Sequence, residues 1–75
     1  MSEQARYSML IQWSKEDQAY LVTLPEWEGR VLGPVTHGDT YEEAVRNGRE
    51  AMAALIASAE KHSEPLPRPQ VFAAH

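Results

Sequence analysis

The sequence predicts an α+β fold: a small antiparallel sheet with one long helix packed on one face, in the order β-β-β-α-β. Three observations lead there. Residues 7–13 and 19–24 alternate with a period of two, as strands with one face on a core do. Residues 41–61 bring apolar side chains round every three or four positions, the repeat of an amphipathic helix. Between the two regimes lies His37–Val45, a loop that turns into a helix cap.

In order, Tyr7, Met9, Ile11 and Trp13 point one way, while Ser8, Leu10 and Gln12 point the other. The polar run Ser14–Gln18 suits a hairpin connection. In the second strand Tyr20, Val22 and Leu24 share a face, and Ala19, Leu21 and Thr23 share the other. Both faces are fairly apolar, which predicts a central strand. Pro25 ends it. The stretch Pro25–Pro34, with two prolines and two glycines, reads as loop, and Val35–His37 as a brief third strand.

Thr40 followed three residues later by Glu43 is a capping box. It predicts that the threonine oxygen accepts from the Glu43 N–H and that the Glu43 carboxylate reaches back to the Thr40 N–H. Gly38 gives the chain freedom to turn, and Asp39 sets negative charge at the positive end of the helix dipole. The helix is expected over 41–61. Its apolar stripe is Ala44, Val45, Gly48, Ala51, Met52, Leu55 and Ala59, widened by Ile56. Glu42 and Arg46 are four apart with the acid first, a favourable surface pair. Gly48 on the stripe predicts close approach of helix and sheet. Ser63 and Pro65 end the helix. Glu64–Pro69, with prolines at alternate positions, favours an extended run, and Gln70–Ala73 is expected to form a short final edge strand.

A chain of 75 residues makes one domain, 1–75, with a core over about 6–72 and residues 1–5 frayed. Such a chain buries roughly 60% of its unfolded surface, so its core is marginal. It has no cysteine to staple it. Self-association into a homo-oligomer, a dimer or tetramer, is the simplest further source of burial. A net charge of −4 argues against independent nucleic-acid binding, which needs a basic surface. It suits a basic partner, or simply solubility. No apolar run spans a bilayer and the first residues do not form a signal peptide, so the expectation is a cytoplasmic protein without a membrane partner.

Catalytic chemistry is poorly represented, and no catalytic residue, cofactor or metal is expected. There is no Gly-x-Ser-x-Gly elbow. His37, His62 and His75 are far apart in sequence; His62 fits dipole and carbonyl contacts at a helix end. His37 with Asp39 reads as a tight turn more readily than as a metal site. The first strand has no carboxylate, and Asp17, Glu26, Glu28 and Asp39 sit in loops, solvated or facing a partner. Trp27 between Glu26 and Glu28 reads in two ways: a lid over the core, or an aromatic anchor in an acidic rim made for a basic protein.

Taken together, Tyr7–Trp13, Tyr20–Glu26, Gly38–Ala44, Asn47–Ala51 and Pro65–Pro69 resemble the HicB-like antitoxins in order and spacing over residues 6–70. The resemblance is to the short, single-domain members. It implies a partial ribonuclease H-like fold without ribonuclease H activity. It also implies a non-catalytic function in a toxin–antitoxin system: binding and neutralising a small basic HicA-type toxin that cleaves mRNA. The alternative is an orphan oligomeric interaction module that keeps the fold without a toxin. The partner-binding residues expected are Glu26, Trp27 and Glu28, with Asp17, Glu42 and Glu43 behind them.

Overall fold

A computed structural model describes residues 6–73; residues 1–5, expected from the sequence to fray, and His75 lie outside that range. The elements are β1 (Leu10–Ser14), β2 (Ala19–Thr23), a 3-10 turn (Pro25–Trp27), β3 (Thr36–Gly38) and α1 (Tyr41–Lys61). The strands form one antiparallel sheet in the order β1-β2-β3, so β2 is central, as its two apolar faces require. This is an α+β domain of three strands and one long helix.

The alternation assigns the faces correctly. Ile11 pairs with Val22, Val22 with Thr36, and Trp13 with Tyr20. With Met9 and Leu24 these residues face α1. The core is Tyr7, Val22, Leu24, Trp27, Ala44 and Met52, and Met9, Ile11, Tyr20, Val31, Val35, Leu55 and Ile56 pack against it. On α1 the buried positions are Ala44, Gly48, Met52 and Ala59, all on the predicted stripe, whose other members Val45, Ala51, Leu55 and Ile56 are half-buried. A methyl group on Gly48 would stand 2.6 Å from Met9 Sδ and 3.0 Å from Val22 Cγ1, so the missing side chain lets the helix lie on the sheet.

The first strand begins later than its alternation predicts, at Leu10 rather than Tyr7. The Ser8 N–H is taken by the Glu26 carboxylate and the Tyr7 hydroxyl by Pro67 O, so this stretch is anchored to loop and tail. Ser14 pairs with Ala19, leaving the four-residue connection 15–18, with Gln18 left-handed at φ 52°. The third strand is shifted by one residue, although the Val35 N–H still reaches Val22 O at 2.9 Å.

The expected final strand is absent: residues 70–73 lie outside any strand. Pro65, Pro67 and Pro69 remove alternate N–H donors just before it, and the Gln70 N–H goes to a Glu26 carboxylate oxygen at 2.8 Å. The tail is held instead by single contacts. Pro67 O accepts from Tyr7 and Pro65 O from Arg30 Nη1 at 2.8 Å.

Thr40 caps α1 as predicted, its Oγ1 accepting from the Glu43 N–H at 3.0 Å. The return arm lands one residue earlier, on the Asp39 N–H at 2.8 Å. At the other end His62 Nδ1 meets Ser58 O at 2.9 Å, the carbonyl contact expected of it. The Glu64 N–H reaches Ala59 O and the Ser63 N–H reaches Glu60 O, a Schellman closure. Its pivot, Ser63, is left-handed at φ 55°. Glycine adopts that conformation without the Cβ penalty, so Ser63→Gly should stabilise the domain by about 0.5–1 kcal/mol. A higher urea midpoint at unchanged slope would show it; an unchanged or lower midpoint would mean that the serine is not strained.

Candidate partner-binding site

The expected contact loop folds inward. Pro25–Trp27 is a 3-10 turn closed by the Trp27 N–H on Leu24 O and the Glu28 N–H on Pro25 O. Trp27 is only 3% exposed, and its ring lies 4.7 Å from that of Tyr7. It is the lid over the core. Glu26 is not a solvated rim residue either: at 7% exposure it is the buried charged side chain among the described residues. Its carboxylate accepts from the Ser8 N–H at 3.0 Å, the Ser8 hydroxyl at 3.0 Å and the Gln70 N–H at 2.8 Å. Burial pushes the Glu26 pKa up, but the bonds from Gln70 and Ser8 outweigh it and hold the carboxyl below its ordinary value. Glu28 alone of this trio is exposed, beside a shallow groove that Gln12, Thr23, Val31 and Val35 also line.

The second group of candidates lies at the opposite end of the sheet, Asp17 on the face away from α1. The hairpin connection 15–18, the exit of β3 and the first turn of α1 all lie there, because β1–β2 and β2–β3 are antiparallel neighbours. Asp17 is exposed and braces the connection: its carboxylate accepts from Ser14 Oγ at 2.9 Å, which in turn accepts from the Asp17 N–H. Asp39 and Glu42 are exposed, while Glu43 is half-buried by its capping role.

An aromatic row runs through this acidic end, and sequence reasoning missed it. Trp13 stacks edge-on against Tyr20 at 5.0 Å, and Tyr20 against Tyr41 at 5.7 Å. Tyr20 pairs with Gly38 at the end of β3, from which the chain passes through the Thr40 cap to Tyr41, the first residue of α1. Trp13 is 51% exposed and Tyr41 55%. The row combines two strands with the first residue of the helix, so its only sequence signal is three aromatic residues in separate elements. Rings flanked by carboxylates offer partner cations both a π face and a counter-charge. On the other side of β3, His37 shares a shallow depression with Asp17, Ala19 and Leu21. Among the described residues no group of three metal-ligating side chains converges, and no helix is long and apolar enough to cross a membrane.

No family profile matches the chain, and no solved structure matches it. A UPF0150 protein of Thermoplasma acidophilum is 38% identical to it over 63 residues, 84% of this chain and 84% of that protein. The aligned stretch is long enough to take in most of the sheet and helix described above, and on that likeness the chain belongs to the UPF0150 family.

Proposed function

We propose that this protein is a non-catalytic antitoxin of the HicB-like kind, acting in the cytoplasm, which binds and neutralises a small basic HicA-type ribonuclease. The observation that carries the reading is the acidic aromatic end of the sheet: exposed Tyr41 and Trp13 on the helix-bearing face, at the same end as the exposed Asp39 and Glu42 and, on the opposite face, Asp17. The resemblance in the order of motifs supports it. So does the net charge of −4, since an acidic surface speeds encounter with a basic protein and rejects acidic ones. The carboxylates fit binding better than catalysis: Glu26 is spent inside the fold, at the far end of the sheet from Asp17 and Glu42. The contact surface therefore moves from the Glu26–Glu28 loop to the hairpin end.

The test is reconstitution with a small basic HicA-type protein, sought first in the neighbouring reading frame. The wild type should form a stoichiometric complex and suppress its ribonuclease activity. Charge reversal at Asp17 and Glu42 together should slow association at least about tenfold at low salt, an effect that fades as salt rises. Tyr41→Ala should raise the dissociation rate by a similar factor. A complex with unchanged rates in both variants would remove the hairpin end as the contact surface. Absence of any complex would remove the antitoxin reading.

A further inference from the structure

We propose that the outer edge of β1 is a self-association surface, on which a second copy of this chain docks by antiparallel strand pairing to make one continuous six-stranded sheet. β1 is an edge strand, since the sheet order is β1-β2-β3. Exposed edges are normally protected by a charge, a proline, a bulge or a covering segment. The strand Leu10–Ile11–Gln12–Trp13–Ser14 contains no charged residue and no proline, and it pairs with β2 in unbroken register, without a bulge. Its side chains Leu10 and Trp13 are 46% and 51% exposed.

The occupant is a second copy because of charge and symmetry. A chain of net charge −4 repels its own copy wherever carboxylates meet, and this strand is a charge-free strip along which two copies can approach. A two-fold axis through Gln12 makes the strip self-complementary. Leu10 then faces Ser14 of the copy, Ile11 faces Trp13, and Gln12 faces Gln12. Outside the strand Lys15 falls opposite Met9, so no like charges are opposed. A stable interface needs roughly 800 Å² per partner, more than a five-residue edge supplies. Gln70 is fixed beside Ser8, just before β1, so the exposed Val71 and Phe72 emerge next to the same strand and supply further apolar surface. The small core, which by itself predicts self-association, thereby acquires a definite surface, independent of whether the partner is a toxin.

Sedimentation of the full chain tests this, with Gln12→Lys and Gln12→Glu as paired variants. Gln12 is exposed on an edge strand that accepts charge, so both variants should keep the wild-type circular dichroism. The wild type should sediment as a dimer or a multiple of it. Each variant alone places like charges opposite one another and should dissociate at least about tenfold more readily. An equimolar mixture should recover the dimer as a Lys–Glu pair. A monomeric wild type, variants that dimerise as the wild type does, or a mixture of two folded variants that stays monomeric would each overturn the proposal.

Discussion

Gly38→Ala should cost about 3–4 kcal/mol and lower the thermal midpoint by roughly 12–32 °C. Gly38 is buried at the end of β3, and a methyl group there would fall against the Ala44 backbone nitrogen and stand 2.8 Å from the Ala44 Cα. These are backbone atoms in the first turn of α1. No rotamer change relieves the overlap, so β3 or α1 must move. Moving β3 disturbs its pairing with Tyr20, and moving α1 opens the core at Ala44. A domain of this size holds only about 4–11 kcal/mol in total. Thermal unfolding followed by circular dichroism measures the loss. A midpoint within a few degrees of the wild type would mean that the β3–α1 approach relaxes at little cost.

Glu26→Ala should destabilise by about 2–4 kcal/mol, because it strands the N–H groups of Ser8 and Gln70 and leaves the Ser8 hydroxyl only its longer bond to Gln70 O at 3.4 Å. Glu26→Gln keeps one acceptor oxygen and turns its amide donors toward groups that also donate, so it should lie between the two. The carboxylate also gives the effect a pH signature. Its folded pKa is depressed, so its contribution is fully present above the unfolded value of about 4.3 and is lost as pH falls through the folded value. The stability difference between wild type and Glu26→Gln should therefore be constant from neutral pH down to about 5 and shrink in more acidic solution. A difference that stays flat from pH 7 to below the carboxylate range would show that the charge of Glu26 is not what the hydrogen bonds stabilise.

The helix was legible to the residue. Its cap, its stripe and its terminating Ser63–Pro65 are all local signals, and local signals survive folding unchanged. The strands were legible as faces, because alternation is local too, but less so as boundaries. Tyr7–Met9 alternates like a strand yet gives the Ser8 N–H to a residue 18 positions away. Gly38 reads in the sequence as freedom for the chain to turn; the structure adds a demand for space beside Ala44, and the Gly38 φ is not among the positive ones. Trp27 left two readings open because an aromatic residue between two glutamates carries the same pattern whether it faces in or out. Glu26 was misplaced because a buried carboxylate depends on donors, at Ser8 and Gln70, that no nearby sequence supplies. The aromatic row escaped notice because register, not spacing, brings Trp13, Tyr20 and Tyr41 together.

The junction at Glu26 also bears on how the chain finds its fold. The β1–β2 hairpin and α1 are assembled from neighbours in sequence and can form early. The Glu26 bonds close loops of 18 and 44 residues, and the Tyr7–Pro67 bond spans 60. Loop closure grows only logarithmically with length, each doubling adding about 0.6 kcal/mol, so even the longest of these is tolerable once the sheet exists. The hairpin and the helix thus rest on local contacts, and the tail on contacts 44 and 60 residues apart. One buried carboxylate therefore joins the segment before β1, at Ser8, to the segment after α1, at Gln70, and ties the most contact-distant parts of the fold to a single side chain.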